Sequence, residues 1–273
     1  METKTLNRNE KNGVVYYTFP SFAECGIVKH GISTRMGGVS QGIYSTMNFS
    51  TQVGDSEENV LENYKRFCDA IEVDYKKCVV SKQTHTVNIR TVTADDIGKG
   101  IIRERDYDNV DGLITNIPEI TLVTHYADCV PLAFVDTKKK VIALSHSGWR
   151  GTVEKIGALT VKKMCEEFGC NPSDIICGIA PSICKDCFEV DSPVSDIFLS
   201  AEGLGNEVVR ARGNGKFDVD LWKANALILQ QAGIPAENIT VTDICTMCNP
   251  DVFHSHRASK GKRGVIGVFL SLK

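Results

Sequence analysis

The chain has 273 residues, 42% of them hydrophobic, and a formal net charge of −3 at pH 7. This content is enough for a substantial buried core, whereas the charge supplies no basic field, so we expect no nucleic-acid partner and no membrane partner. The polar start METKTLNRNEKNG and the lack of an apolar run of about 18 residues argue against a signal peptide and a membrane helix, so we expect a cytoplasmic monomer or homodimer.

Strand candidates rich in β-branched residues occur along the whole chain. They are 14–19, 27–34, 78–83, 87–92, 111–115, 121–126, 130–136, 141–146, 174–180, 238–243 and 265–272. Several follow one another with no helix between them, which disfavours a simple alternating series and favours α+β layering. No linker or change in composition divides the chain, so we expect one domain over residues 1–273.

Three helices are predicted from apolar side chains spaced three and four residues apart. The first has Asp55 or Ser56 as its N-cap. The second begins at Thr152 and ends at Gly169, where glycine suits the left-handed position after a helix. The third covers LWKANALILQQ and stops before Gly233 in the same way.

Eleven cysteines, an odd number, without an export signal indicate reduced thiols rather than a disulfide framework. Two CxxC pairs, Cys184 with Cys187 and Cys245 with Cys248, have the local spacing of zinc ligands. Residues 188–244 separate the pairs, far more than the ~15–20 residues of a zinc ribbon, so a shared four-cysteine site is not expected. Six other cysteines lie among apolar neighbours and are expected to be buried: Cys25, Cys68, Cys78, Cys165, Cys170 and Cys177.

Three possible metal donors lie at the ends of strand candidates. His85 in QTHTV and His146 in SHSGWRG stand beside small or hydroxyl residues, and Cys129 directly precedes a strand that must be buried. A His/Cys/His set suits zinc and leaves a fourth position for water or substrate, although copper binds the same donors. The alternatives are hydrogen-bonded core histidines, or a hydrolase with Cys129 as nucleophile and His146 as base.

Nine segments in a fixed order point to a known family: STRMGGVS (33–40), KQTH (82–85), DNVDGLIT (108–115), ADCVPL (127–132), HSGWRGT (146–152), GIAPSICKDCFEV (178–190), FDVDLWKAN (217–225), CT (245–246) and FHSHR (253–257). They resemble the YfiH-like laccase-domain family, whose members are known as multicopper polyphenol oxidases and as purine nucleoside phosphorylases. The resemblance covers nearly the whole chain, which makes it more specific than any single motif.

The resemblance implies a four-layer α/β/β/α sandwich with mixed sheets. It also implies a zinc site on His85, Cys129 and His146, the three residues that the strand ends indicate. Near the C-terminus the sequence departs from the family, since the segment HSH replaces a more usual aromatic one. No role is therefore assigned to His254 or His256.

Purine nucleosides and phosphate are the substrates that the resemblance implies, and four residues are candidates for binding them. Arg35 in the loop TRMGG offers a guanidinium fork for phosphate, and Arg150 is a second candidate unless it pairs with a structural carboxylate. Asp111 either exchanges a proton near the purine or serves as a turn residue. Gln83 is placed to orient substrate or a metal ligand, and Trp149 either stacks on a base or covers the core.

Three functions are consistent with these residues. The resemblance implies a zinc-dependent phosphorylase for adenosine, inosine, guanosine and methylthioadenosine that also deaminates adenosine, since zinc with an open position activates water. A copper-dependent polyphenol oxidase (laccase) is the first alternative, but a four-copper centre needs about ten histidines and the chain has six. A cysteine or metal hydrolase acting on peptidoglycan precursors is the second alternative.

Overall fold

Strands outnumber helices in residues 3–273, the part of the chain that the computed structural model describes. In chain order the strands are β1 (Asn7–Lys11), β2 (Val14–Thr18), β3 (Val28–Ser33), β4 (Cys78–Val80), β5 (Ile89–Thr91), β6 (Gly112–Thr115), β7 (Thr121–Tyr126), β8 (Val130–Asp136), β9 (Val141–Ser147), β10 (Ile175–Ile179), β11 (Glu189–Asp191), β12 (Val209–Gly213), β13 (Lys216–Val219), β14 (Ile239–Val241) and β15 (Ile266–Leu272). The α-helices of the same range are α1 (Pro20–Glu24), α2 (Glu57–Ala70), α3 (Trp149–Val153), α4 (Ile156–Phe168), α5 (Ser192–Ser200) and α6 (Leu221–Gln231).

The described strands form two six-stranded sheets and one three-stranded sheet. The first sheet has the order β1-β2-β3-β15-β7-β4 and is antiparallel except where β4 pairs with β7. The second has the order β14-β10-β8-β9-β6-β5, with parallel pairs at its two edges. The third, β11-β13-β12, is antiparallel. Mixed sheets with few helices confirm the predicted fold class.

The buried core lies between the layers. The two large sheets pack face to face through side chains such as Ile32 and Leu270 of the first and Leu144 of the second. Phe67 of α2 packs on the outer face of the first sheet, and Met164 of α4 packs on the outer face of the second, beside α6. Full burial of each such side chain contributes roughly 1.5–3 kcal/mol. The resulting order of layers is the expected α/β/β/α sandwich.

The helix predictions hold for two of the three segments. α2 follows Ser56, whose side chain accepts a hydrogen bond from the backbone of the residue three positions on at 3.2 Å, and α6 covers the predicted stretch. The helix predicted to start at Thr152 starts instead at Trp149 and breaks at Lys155, whose φ is 59° in the left-handed region. Its predicted end at Gly169, φ 65°, is confirmed. No helix within residues 3–273 has both the length and the apolar character needed to cross a membrane.

Every predicted strand is present, with small differences at its ends. The strands that were not predicted are β1 and the three of the small sheet, β11 to β13, which are short and, apart from the end of β13, half-buried or exposed. In the small sheet, Arg210 and Arg212 of β12 form ion pairs of 2.6 and 2.7 Å with Asp218 of β13. Charged side chains therefore hold a sheet that a search for apolar periodicity does not detect.

The expectation that the two CxxC pairs lie apart is wrong. The Sγ atoms of Cys184, Cys187, Cys245 and Cys248 all lie within 4.8 Å of one another. The reason is topological: β10 and β14 are parallel neighbours, so the segments that follow them leave the sheet at the same edge. Each of these segments carries one pair. A parallel bridge between Ser182 and Cys245 then aligns the two segments.

The other six cysteines expected to be buried divide into two groups. Cys68, Cys78, Cys170 and Cys177 are buried, as expected, whereas Cys25 and Cys165 are only half-buried. All six are free thiols. Packing therefore accounts for most of the cysteines outside the two clusters that could hold a metal.

Candidate metal centre and its cleft

A cleft of about 1070 Å³ has His85, Cys129 and His146 among its lining residues. The donor atoms of these three side chains lie within 4.8 Å of one another. The His85 and His146 rings meet edge to face, with centroids 4.9 Å apart, and the Cys129 Sγ lies 3.9 Å from the His85 Nε2. The structure thus brings together the three residues that lay at separate strand ends in the sequence.

The second sheet sets these positions. β8 and β9 pair antiparallel with Pro131 opposite His146, so Cys129, just before β8, lies at the same end of the sheet as His146. His85 reaches this end from the connection between β4 and β5. Gly148 follows β9, and a Cβ there would come within 3.0 Å of the His85 ring and 3.3 Å of the Cys129 Sγ. Glycine at this turn therefore leaves the space that the donors need.

Asp111 is buried beneath the donors and holds His146 and the backbone of His85 in position. Its Oδ1 accepts hydrogen bonds from the His146 Nδ1 at 2.7 Å and the His85 backbone at 3.0 Å, and its Oδ2 accepts the backbone N–H groups of Thr84 and Thr86 at 3.0 and 2.9 Å. These bonds hold His85 at φ 66°, a left-handed conformation that is costly without support. Asp111 is fully buried and is not among the residues that line the cleft, so in this structure its contacts are with the donor residues and their backbone.

The charges of the centre are coupled. Burial opposes ionisation of Asp111, but the hydrogen bond from His146 and those from the backbone outweigh burial and lower the pKa of Asp111 to about 2. Burial also opposes a Cys129 thiolate, yet the two imidazoles lower the pKa of Cys129 to about 6. Against burial, Cys129 and Asp111 together raise the pKa of His146 to about 9. The thiolate is the form that binds metals, and a metal at this site would displace the His146 proton.

Asp128 fixes the backbone conformation directly before Cys129. Its φ is 83°, a left-handed conformation that Asp tolerates better than most residues. Its carboxylate accepts hydrogen bonds from the Thr246 hydroxyl at 2.6 Å, the Ser255 hydroxyl at 3.0 Å and the Arg257 backbone at 2.7 Å. Two C-terminal segments are thereby tied to the residue that precedes the thiol. The sequence pointed to ADC as a motif without indicating this anchoring role.

Four arginines that sequence reasoning did not select line the cleft: Arg103, Arg105, Arg257 and Arg263. Arg105 donates to the Ser81 carbonyl at 2.6 Å. Arg263 is half-buried, and its Nε is buried without a hydrogen-bond partner among the described atoms. Burial lowers the pKa of Arg263, partly offset by Asp128 and Cys129. A buried guanidinium N–H without a partner is rare in folded proteins, and the Arg263 side chain lines the cleft beside it.

Two residues predicted to bind substrate, Arg35 and Arg150, lie outside this cleft. Arg35 does not line the cleft, and its guanidinium donates to two backbone carbonyls at 2.8 Å each. Arg150 is exposed outside the cleft and stacks on the Trp149 ring at 4.2 Å, and it forms no ion pair with a carboxylate of residues 3–273. Gln83 does line the cleft, but both ends of its amide bond the His125 backbone, at 2.7 and 2.8 Å. Trp149 lines the cleft and also packs on the core.

Four histidines lie outside the donor set, and three of them form hydrogen bonds that belong to the fold. His30, His125 and His254 each form a hydrogen bond, and burial lowers the pKa of each. His254 is buried, whereas His30 and His125 are half-buried and His125 also lines the cleft. His256 is exposed and lines the cleft.

Residues 29–273 match the family described as multi-copper polyphenol oxidoreductase laccase. The chain is 37% identical over 251 residues to a Bacillus subtilis protein named purine nucleoside phosphorylase YlmD, covering 89% of this chain and 88% of that protein. It is 36% identical over 231 residues to adenosine deaminase RL5 from an unknown prokaryotic organism, covering 82% and 87%.

Two solved structures have the same fold. The Bacillus licheniformis hypothetical protein YfiH superposes with a TM-score of 0.92 at 30% identity, covering 99% of this chain and 100% of that one. YlmD from Geobacillus stearothermophilus superposes with a TM-score of 0.89 at 32% identity, covering 98% and 99%. The similarity thus extends over nearly the whole length of each chain.

Proposed function

This chain belongs to the multi-copper polyphenol oxidoreductase laccase family, and we propose that it is a purine nucleoside phosphorylase that also deaminates adenosine. The proposed substrates are adenosine, inosine, guanosine and methylthioadenosine, with phosphate as the second substrate of phosphorolysis. The observation that carries the proposal is the convergence of His85, Cys129 and His146 in a cleft that also presents arginines and aromatic rings.

Zinc is the metal that we propose for the His85, Cys129 and His146 donors. One thiol and two imidazoles suit it, and Asp111 orients His146 through Nδ1 as carboxylates commonly orient metal-binding histidines. When bound with an open position, zinc supplies Lewis acidity and lowers the pKa of water towards neutrality. Copper would compete for the same donors because thiolate and imidazole bind it strongly.

We propose that phosphate binds to Arg105, Arg257 and Arg263, which line the cleft and which we call the arginine wall. This assignment replaces Arg35, which lies outside the cleft. The support for this assignment is that the side chains of Arg263, Arg257 and Arg105 line the same cleft as the donors. Guanidinium groups bind phosphate oxygens through paired, charge-assisted hydrogen bonds. In the proposed reaction a phosphate oxygen bonds to C1′ while the bond from C1′ to the purine nitrogen breaks. The electron pair and a proton go to the departing base, leaving ribose 1-phosphate.

The purine itself is proposed to pack on an aromatic side chain of the cleft. Trp149, Phe188 and Tyr64 line the cleft, and Trp149 follows the donor His146 by three residues. Planar bases stack on such rings with gains of about 1–3 kcal/mol per base. Deamination in the same cleft adds water at purine C6 and releases ammonia, so both reactions need the base beside the donor set.

A cysteine hydrolase is the second candidate, and one observation favours it. Without a metal, the lowered pKa of Cys129 and the raised pKa of His146 describe a thiolate beside an imidazolium, as in a nucleophile and base pair. A four-copper oxidase is less well supported, because three of the six histidines already form hydrogen bonds within the fold: His30 with the Phe19 N–H, His125 with the Tyr64 hydroxyl and His254 with the Met47 carbonyl.

The experiment is an assay of products. Purified protein is incubated with inosine or adenosine, with and without phosphate, after loading with zinc or with copper. We expect ribose 1-phosphate from both nucleosides only when phosphate is present, and ammonia from adenosine with or without it. Cys129→Ala should lose both the metal and turnover, while Cys165→Ser, a half-buried thiol outside the cleft, should keep both.

Two results would redirect the interpretation. If no nucleoside is turned over under either metal loading, the phosphorylase proposal is wrong. If Cys129→Ala keeps its metal but loses activity, Cys129 acts as a nucleophile and the hydrolase candidate is preferred.

A further inference from the structure

A second cluster of possible metal donors lies where the two CxxC segments meet. The four Sγ atoms of Cys184, Cys187, Cys245 and Cys248 lie within 4.8 Å of one another, and the Cys187 and Cys248 Sγ atoms are 3.4 Å apart. A tetrahedral zinc with Zn–S bonds of about 2.3 Å places its sulfur atoms about 3.8 Å apart. A disulfide would instead need about 2.05 Å. The spacing in this cluster is that of ligands around a common ion.

Backbone contacts support the cluster from both segments. Thr246 N–H donates to the Ser182 carbonyl at 3.0 Å, and the N–H groups of Cys187 and Phe188 both donate to the Cys184 carbonyl, at 3.1 and 3.0 Å. The Cys184 N–H points at the Cys245 Sγ from 3.2 Å. An N–H directed at sulfur stabilises a thiolate through a charge-assisted hydrogen bond. The turns therefore hold the sulfur atoms without help from a covalent bond.

The surroundings suit a closed structural site rather than a reactive one. Cys245 is buried, Cys184 and Cys187 are half-buried, and Cys248 is exposed at the surface. Four thiolates around a divalent ion leave no position for substrate, which distinguishes this cluster from the three-donor set. The Arg257 guanidinium donates to the Cys187 carbonyl at 3.2 Å and brings a positive charge beside the net negative charge of such a site.

We propose that Cys184, Cys187, Cys245 and Cys248 bind one zinc ion in a closed tetrahedral site separate from the His85, Cys129 and His146 centre. The site joins the segments that follow β10 and β14, which are distant in sequence. It also connects with the cleft, because Ile183 N–H donates to the Asp128 carbonyl at 2.9 Å and the Thr246 hydroxyl to the Asp128 carboxylate at 2.6 Å. Zinc at the four cysteines therefore stabilises the residue that precedes Cys129.

The first test counts metal ions in the full chain. The protein is produced with zinc and reductant, and loosely bound metal is removed. Inductively coupled plasma mass spectrometry should then find two zinc equivalents per chain. Cys129→Ala should retain one, and the double variant Cys187→Ser/Cys248→Ser should also retain one. Cys25→Ser, a half-buried thiol outside both clusters, should retain two.

The second test identifies the ligands without relying on the cluster variants, which could fail to fold. X-ray absorption at the zinc edge of Cys129→Ala should show four sulfur atoms at about 2.3 Å and no nitrogen. One equivalent in the wild type with none in Cys129→Ala would overturn the proposal, as would nitrogen or oxygen ligands in that variant. A disulfide between Cys187 and Cys248 in the reduced preparation would also overturn it. None of these measurements depends on nucleoside turnover.

Discussion

At the scale of single residues, the centre depends on Asp111. Replacement by Asn turns one acceptor oxygen into an N–H donor, so at least two of the N–H groups that face the carboxylate lose their partner. We expect Asp111→Asn to weaken metal binding at His85, Cys129 and His146 by about 10- to 100-fold, the range typical for partners of metal-binding residues. Competition with a chromophoric chelator measures this affinity.

Asp108→Asn is the matched control for that substitution, because Asp108 is exposed and lies three residues earlier. It should bind metal as the wild type does. Equal metal affinity in Asp111→Asn and the wild type would show that Asp111 does not position the donors.

The arginine wall gives a second prediction for single residues. Arg263→Ala should raise the KM for phosphate by about 10-fold or more, because a hydrogen bond to a charged group contributes about 1.5–3 kcal/mol. Arg150→Ala removes an exposed arginine outside the cleft and should leave the KM for phosphate within about twofold of the wild type. Steady-state phosphorolysis of inosine at varied phosphate measures both, and an unchanged KM in Arg263→Ala would rule out this phosphate site.

The sequence indicated residues of the centre more readily than their roles. His85, Cys129 and His146 stand at strand ends and in family motifs, so the sequence alone indicates them as donors. The role of Asp111 depends on the pairing of β6 with β9, which places its carboxylate beside the His146 ring. Arg263 lies in a loop with no periodic pattern, and its place in the cleft follows only from the folded chain.

At the scale of elements, Asp96 ties β5 to the connection that follows it. Its carboxylate, 1% exposed, accepts Arg90 at 2.7 Å and Lys99 at 2.8 Å, and also the Thr93 backbone at 3.0 Å. Burial opposes the charged form, but these bonds outweigh burial and lower the pKa of Asp96 to about 2. A carboxyl whose pKa is lower in the folded state stabilises the fold above its unfolded pKa of about 3.9.

Asp96→Asn should therefore lower the free energy of unfolding by about 2 kcal/mol at pH 7. The difference from the wild type should decrease as the pH falls from about 4 to about 2, where the native carboxyl takes up its proton. Urea unfolding between pH 7 and pH 2 measures it, with the exposed neighbour Asp95→Asn as control. A difference that does not change with pH would contradict the assigned ion pairs.

Helices and strands with regularly spaced or continuous apolar residues could be predicted from the sequence. Strands held by ion pairs could not. Strands such as β8, buried along its whole length, appear in the sequence as continuous apolar runs. β12, by contrast, has the sequence VRARG and is stabilised by ion pairs to Asp218. The break at Lys155 between α3 and α4 also went unpredicted, because lysine gives no local signal for a left-handed conformation.

At the scale of the whole molecule, the order of strands within the sheets determines which distant residues meet. The family resemblance implied the sandwich, but the convergence of the two CxxC pairs follows from the parallel pairing of β10 with β14. Sequence separation alone gave the wrong expectation there, since it carries no information about strand order. The same sheet places Asp128 between the second cysteine cluster and Cys129.

The central claim is that metal bound by His85, Cys129 and His146 supports purine nucleoside phosphorolysis. The most direct measurement is the initial rate of ribose 1-phosphate formation from inosine and phosphate as zinc is returned stepwise to metal-depleted protein, with Cys129→Ala in parallel. We predict a rate that rises in proportion to occupancy of this centre and no rate in Cys129→Ala at any zinc level. Full activity in the depleted protein, or equal activity in Cys129→Ala, would contradict the claim.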